Sequence, residues 1–530
     1  MDESNWTTIQ SGLLANPKNY TLYVLLGEYY LQKNPNQAYL CLENALYYCD
    51  NKEDADIIIS CMEDLRKSGK ITVRNTSFII LSYNLLELTK NCIESIRETV
   101  PEFVREIVVV DNASTDGSVE WLRLQPDIIL RENKTNSGFP KGCNEGIEYA
   151  SKDNDIFLLN NDTVMTPNAL FWLRMGLYES ELHGATGSVS NHVANGQKIE
   201  FQEATMQNFL NYAQSNNIPQ TTPYDEKFYL VGFAWLIKRT VFDELGPLDE
   251  QFSPGNYEDT DYGVRILKAG YKNILCKNSF IIHLGNQSFK QDSTAYNNLL
   301  VTNQKKFENK WKLSFPHHLH VYSEMLSLFE NVNSTTRILD IGCGCGVTLM
   351  HLKAMLGSFD AYGVEPDSSA ADIAKRFVTT YCQDIDNLNL PLEKASFDYI
   401  ILNDTLARAQ NPVNVLLSIK QYLKPQGYLI VSVPNIKHYS IILPLLLEDR
   451  FTYSTSGIMD TIHTRLYTET EIRNLISETG FEIDAFGYTT LGNPNENTEK
   501  IIHLLTQISS SKKKTNYLAE RYLLRASKQN

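Results

Sequence analysis

Several apolar runs in this sequence end on side chains that can bind charge or move a proton. The stretch DIFLLNNDTV passes from Ile156–Leu159 to Asn160, Asn161 and Asp162. Taken alone it reads as a turn, where Asn and Asp are favoured. Its carboxylate is also the kind of oxygen ligand that hard divalent cations take. SFIILSYN ends on Ser82, Tyr83 and Asn84, and EIVVVDN on Asp111 and Asn112. Glu258 and Asp259 open the helical stretch TDYGVRILKAG, so Asp259 is either a proton acceptor or a helix cap. Further on, Asp340-x-Gly342-x-Gly344-x-Gly346 stands between a strand-like and a helix-like segment, and AYGVE then ends on Glu365. Glycines let a backbone close on a ligand, and an acid at the next strand end accepts hydrogen bonds from ribose hydroxyls. Such a loop alone does not separate dinucleotide cofactors from other nucleosides.

The elements that position these groups follow from periodicity. Short apolar runs alternate with helical stretches from Thr76 to about Lys312 and again from Arg337 to about Tyr488. That alternation predicts an α/β protein with two α/β domains, each on a largely parallel sheet, and ligands beyond the carboxyl ends of the strands. A small α-helical segment precedes them, broken at Asn34-Pro35. The predicted divisions are a helical segment over 1–72, a first domain over 73–316, a second over 317–492, and a helical basic tail over 493–530. HHLHVYSEMLSLFENV reads as a helix leading into the second domain. The tail, SSSKKKTNYLAERYLLRASKQN, reads as a solvated helix, with peripheral contact to anionic lipid as the other reading.

The totals narrow the function classes. A chain of 530 residues with 42% hydrophobic and 21% charged residues is an ordinary globular protein of two or three domains. A net charge of −15 excludes a broad nucleic-acid-binding surface. Nine scattered cysteines without a C-x-x-C pair exclude zinc ribbons and thioredoxin-like chemistry. With an acidic, polar start and no apolar run near the roughly 18 residues of a membrane span, the expected location is cytoplasmic, with at most contact at the inner face of a membrane.

The first block resembles the inverting glycosyltransferases of family two, especially rhamnosyltransferase-like members with the GT-A nucleotide-sugar fold. FIILSYN, VVVDNASTDGS, NSGFPKGCNEGI, LLNNDTVMTP, VGFAWLIKR, LDEQFSPGNYEDTDYGVRILKAGY and IIHLGNQSF occur in the family's order. The resemblance implies a nucleotide-sugar donor and a glycan, glycolipid or glycoprotein acceptor. It also implies Mg²⁺ or Mn²⁺ to neutralise the departing diphosphate. Asp162 matches the metal carboxylate, although the family's Asp-x-Asp reads Asn160-x-Asp162 here. His283 matches a position near the metal or diphosphate, with a structural histidine as the alternative. Asp111 would contact the base or ribose; Ser82, Tyr83 and Asn84 would line the same pocket, with Asn136, Gly138 and Asn144 nearby. Lys141 faces phosphate or solvent. Asp259 matches the base that accepts the acceptor's proton.

The second block resembles the class I S-adenosylmethionine-dependent methyltransferases, with their Rossmann-like fold. RILDIGCGCGVTLMHLKAMLGSFDAYGVEPD carries Asp340, Gly342, Gly344, Gly346 and Glu365. CQDIDNLNLP places Asp384 and Ile385 where the family holds adenine, and FDYIILNDTL, with Asn403, matches its fourth strand. S-adenosyl-L-methionine is the implied cofactor. Relatives commonly carry Leu-Glu-His where this chain has Leu406-Ala407-Arg408, which leaves His463 as the candidate base beside a purely structural role. The helical N-terminus resembles one tetratricopeptide unit, read as a docking element or as a site for a protein partner. The combined expectation is a bifunctional enzyme that adds a sugar and methylates the glycan. The alternatives are a glycosyltransferase whose second domain binds cofactor without catalysis, and a non-enzymatic assembly scaffold.

Overall fold

The computed structural model describes residues 3–285 and 293–529, and the chain divides into units of residues 1–307 and 308–530. Residues 286–289 of the IIHLGNQSF motif lie outside the described residues.

The first unit opens with helices α1 (Glu3–Ala15), α2 (Tyr20–Tyr30), α3 (Pro35–Tyr48) and α4 (Lys52–Lys67). Asn34 starts α3 by accepting the Asn36 and Gln37 N–H groups, with Pro35 in the first turn, where its missing N–H has no consequence. Every residue of α3 from Asn36 to Ala45 is buried, so it is covered on all sides rather than on one. Part of that cover is the helix Ala169–Leu177. Arg174 there forms a buried ion pair with Glu43, and Gln37 Nε2 donates to the Met175 carbonyl at 3.0 Å. The N-terminal helices and one face of the following sheet thus share a single apolar core.

That sheet has the order β3-β2-β1-β4-β8-β6-β9-β7. Its strands are β1 (Thr76–Ser82), β2 (Arg105–Asp111), β3 (Ile128–Glu132), β4 (Asp155–Asn160), β6 (His183–Val189), β7 (Tyr224–Lys227), β8 (Ala234–Ile237) and β9 (Lys272–Phe280). Pairing is parallel from β3 through β4, but β8 runs antiparallel to both its neighbours and β7 antiparallel to β9. The sheet is therefore mixed rather than largely parallel; an antiparallel neighbour does not need a crossover helix. A separate two-residue ribbon pairs β5 (Thr163–Val164) with β10 (Ile282–His283).

The second unit holds β11 (Arg337–Ile341), β12 (Asp360–Val364), β13 (Thr379–Tyr381), β14 (Phe397–Asn403), β15 (Leu423–Pro434), β16 (Phe481–Thr490) and β17 (Ala519–Lys528). Their order is β13-β12-β11-β14-β15-β17-β16, with β11 to β15 parallel and β17 antiparallel to both flanking strands.

The end of the chain departs from the sequence reading. Residues 496–508 are helical, but Ala519–Lys528 is an interior strand, so the second domain does not stop at residue 492. Leu, Ala and Arg favour helix intrinsically, yet pairing on both edges and burial of Tyr522, Leu524 and Ala526 override that preference. The basic residues are engaged within the unit: Lys513 with Glu469, Lys514 with Glu499 and Arg525 with Glu330. Nor do residues 317–332 form one helix; a four-residue helix at Phe315–His318 and a 3-10 segment at Ser323–Leu328 take its place.

Removing one partner of a buried ion pair strands the other charge. Glu43→Ala should destabilise the first unit by about 3–5 kcal/mol, measured by urea denaturation. Unchanged stability would mean that Arg174 finds other compensation.

Candidate active sites

In the first unit the polar strand ends form one interlaced edge. Asp111, at the end of β2, is fully buried; Oδ1 accepts the Ser114 N–H at 2.8 Å, and Oδ2 has no hydrogen-bond partner among the described residues. Asn84 sits at a positive φ of 55°, its N–H donating to Ser114 Oγ and its Oδ1 accepting the Thr115 N–H. These contacts hold the loops after β1 and β2 together, next to buried Ser82 and exposed Tyr83. Asn136 Oδ1 accepts from the Gly138 N–H and from Asn112 Nδ2. A side chain at Gly138 would place its Cβ 2.8 Å from Pro254 Cα, and Phe139 N–H donates to the Pro254 carbonyl. The glycine thus lets this loop meet the segment leading to Glu258. Asn144 does not join the edge: its amide is committed to both backbone groups of Leu248, which makes it a fastener rather than a donor contact.

The β5–β10 ribbon brings together two groups distant in sequence. Asp162 immediately precedes β5, and Thr163 pairs with His283. His283 Nε2 then lies 3.2 Å from Asp162 Oδ1. The ring's Nδ1 is 2.6 Å from the His192 carbonyl and donates there, so Nε2 is the nitrogen turned to Asp162. Asn161 has another task, donating to Thr89 Oγ1 at 3.0 Å. No cluster of three or more His, Cys, Asp and Glu fit for a metal occurs among the described residues. One carboxylate could hold a cation whose other ligands are diphosphate oxygens and water, as Mg²⁺ is commonly held, with the imidazole as a further nitrogen ligand for a softer divalent ion.

Asp259 lies in the first turn of the helix Glu258–Lys268. Its Oδ2 accepts the Gly232 N–H at 3.1 Å, and its Oδ1 accepts the Thr260 N–H at 2.6 Å. Burial pushes Asp259 above the usual carboxylate range against the pull of these N–H groups. Glu258 is raised well above that range by burial and by the neighbouring Asp259 charge. The residue after Gly232 reaches the other pair: the Phe233 ring stacks on His283 at 5.1 Å, while its carbonyl accepts the Asn160 N–H. Two consecutive residues thus touch the candidate base and the candidate cation ligand.

In the second unit Gly342, Gly344 and Gly346 all have positive φ. At Gly344 a Cβ would lie 2.6 Å from the His318 carbonyl, so only glycine passes beneath it. Glu365 clasps this loop, accepting the Gly344 and Asp367 N–H groups at 2.8 and 2.9 Å. Asp340 Oδ1 and Asn403 Oδ1 are buried without hydrogen-bond partners among the described residues. These unmet acceptors near adjacent strand ends, with the glycine cradle, fit a nucleoside cofactor that brings its own donors. Asp384 is exposed and caps its own turn, while Ile385 packs in the apolar core. His463 is buried; its Nδ1 lies 3.0 Å from the Ile458 carbonyl and its Nε2 3.8 Å from Asp404 Oδ2.

Comparison with known proteins assigns both units. Residues 77–246 match the model described as glycosyl transferase family 2, and residues 315–485 match a methyltransferase domain. The chain joins a family 2 glycosyltransferase domain to a methyltransferase domain. Among curated proteins it is similar to an uncharacterized methyltransferase of Schizosaccharomyces pombe, 29% identical over 113 residues, covering 19% of this chain and 41% of that one. It is also similar to the ubiquinone biosynthesis O-methyltransferase of Rickettsia canadensis, 24% identical over 174 residues, covering 32% and 72%. Among solved structures, a mannosyltransferase of Pyrobaculum calidifontis, in complex with GDP-Man and Mn²⁺, is 19% identical over 44% of this chain and 64% of that one, with a TM-score of 0.33. The chain thus spans well under two thirds of the first relative's length.

The methyltransferase domain holds residues that sequence reasoning missed. Asp404, Tyr322 and Arg521 line one cavity with His463. Asp404 follows the same pattern of a polar residue past an apolar strand that singles out Asp111 and Asp162. Arg521 was hidden because its segment reads as a helix.

Burial and the Glu365 charge push Asp340 up to about 7. The folded state therefore holds this proton more tightly than the unfolded one. The stabilisation is full below the unfolded value near pH 4 and is lost as pH rises through about 7. Asp340→Asn should flatten that loss and stabilise the second unit at pH 8 by roughly 3–4 kcal/mol relative to the parent. Melting curves of both proteins from pH 4 to pH 8 test this; parallel curves would contradict it.

Proposed function

We propose that the glycosyltransferase domain moves a sugar, with inversion, from a nucleotide-sugar donor to a surface-glycan, glycolipid or glycoprotein acceptor. The methyltransferase domain then O-methylates a hydroxyl of that product or of a related sugar. The observation that carries the first step is the Gly232–Phe233 link between Asp259 and the Asp162–His283 pair, because inversion needs a proton acceptor and a diphosphate site held in fixed relation. Asp162 and His283 would hold Mg²⁺ or Mn²⁺, which when bound would neutralise charge developing on the diphosphate. Asp111 Oδ2, without a hydrogen-bond partner among the described residues, accepts a donor hydroxyl or base N–H. Asp259 takes the acceptor's proton, and its upward shift makes it a stronger base than an exposed aspartate.

In the second domain the glycine loop, Glu365, Asp340 and Asn403 hold S-adenosyl-L-methionine, which supplies an electrophilic methyl group. His463 is positioned as the base. A second reading, cofactor binding without catalysis, is favoured by Arg408, which stands where relatives commonly carry histidine. Fusion of the two domains argues for related substrates only by association.

Nucleotide sugars tested one by one with Mn²⁺ should give donor hydrolysis or transfer that a chelator abolishes. Asp259→Asn should cut transfer by about 10²–10⁴-fold while donor affinity stays nearly constant. Asp162→Asn should instead weaken metal-dependent donor binding by about tenfold or more. Full turnover by Asp259→Asn would remove that residue from the role. For the parent enzyme, kcat/KM should fall with decreasing pH at an acid limb above that of an ordinary aspartate.

A further inference from the structure

The second unit contains a cavity of about 330 Å³. Asp404 follows β14 at a φ of 53° and is buried. Burial opposes its charge, but the Arg521 guanidinium paired with it holds the carboxyl below its usual range. Tyr322 donates its hydroxyl to Asp404 Oδ2 at 3.1 Å. Asp404 is thus a carboxylate that can only accept, and Oδ2 retains accepting capacity.

His463 presents a second acceptor beside it. Its Nδ1 proton goes to the Ile458 carbonyl at 3.0 Å, which leaves the lone pair on Nε2. Burial also lowers its proton affinity, against the pull of Asp404. The 3.8 Å between Nε2 and Asp404 Oδ2 is too long for a direct hydrogen bond. Oδ2 already accepts from Tyr322 but keeps a lone pair, so a ligand that engages both it and Nε2 must bring two donors, and a single hydroxyl carries only one proton.

The cavity's charge narrows the class. Asp404, Asp460, Glu324 and Glu520 supply four carboxylates against the guanidiniums of Arg408 and Arg521. That excess disfavours a phosphate or carboxylate on the acceptor. An ammonium group would also bring donors, but the O-methyltransferase reading of this domain takes a hydroxyl as the methyl acceptor.

We propose that this cavity is the acceptor site of the methyltransferase domain and selects an uncharged sugar with hydroxyls on neighbouring carbons, one donating to His463 Nε2 and the other to Asp404 Oδ2. The proposal rests on the reading of this domain as an O-methyltransferase. The hydroxyl on His463 gives its proton to Nε2 as its oxygen bonds to the methyl carbon; the sulfur–carbon bond breaks, and the cofactor leaves as a neutral thioether. Asp404 is the positioning residue: it orients the second hydroxyl and faces the imidazolium with a negative charge.

The test uses the full chain loaded with S-adenosylhomocysteine, whose binding is first measured by calorimetry. Saturation-transfer NMR then compares neutral methyl hexopyranosides with analogues lacking one hydroxyl of the bound pair, and with a glucuronide. Removing either hydroxyl, or adding the carboxylate, should weaken binding by about tenfold or more. In Asp404→Asn the penalty for the second hydroxyl should shrink, while that for the hydroxyl on His463 persists. If S-adenosylhomocysteine binds but the deoxy analogues bind as well as the parent sugars, or no neutral hexopyranoside binds at millimolar concentration, the proposal is overturned. If S-adenosylhomocysteine itself does not bind, the methyltransferase reading falls and takes the proposal with it. The deoxy series on the parent protein decides the matter even if Asp404→Asn fails to fold.

Discussion

The Thr163–His283 pairing is the constraint on which the first site depends. Asp162 and His283 lie far apart in the sequence, and the β5–β10 ribbon fixes them 3.2 Å apart. One carboxylate and one imidazole alone would make a weak cation site. Their value lies in being oriented before a ligand arrives, since preorganised groups need not rearrange as charge develops. The His192 carbonyl supplies the remaining control, because by taking the Nδ1 proton it makes Nε2 the nitrogen that would meet a cation under the proposed function.

Around that ribbon, neighbouring backbone segments connect different tasks. Gly232 and Phe233 contact Asp259 and His283 in turn, while Gly138 permits the close approach of the loop that carries Pro254 toward Glu258. Either contact transmits a small backbone shift to a catalytic candidate. Residues that touch no substrate can therefore govern the geometry.

Much of this was legible in the sequence, and unevenly. Polar residues past apolar strands are visible because strand periodicity and strand-end chemistry are both local, so Ser82, Asp111, Asp162, Gly344 and Glu365 could be singled out by inspection. Asn144, brought in by the resemblance rather than by a strand end, is engaged with Leu248, a partner that no local pattern reveals. The largest departure was β17. Nothing within Ala519–Lys528 announces a strand; only insertion between β15 and β16 makes it one. Arg521 was lost to the reading with it, and so was the Asp404 ion pair. Pairing partners distant in sequence, rather than composition, decided these positions.

The placement of β17 also carries a consequence for synthesis on the ribosome. β16 has no other neighbour in the sheet, so it emerges first and must wait. Until the later strand arrives, β15 and β16 each present an unsatisfied backbone edge, the feature by which nascent chains adhere to one another. The gap between β15 and β16 can close only after β17, which follows the helix Glu496–Ile508, has been made.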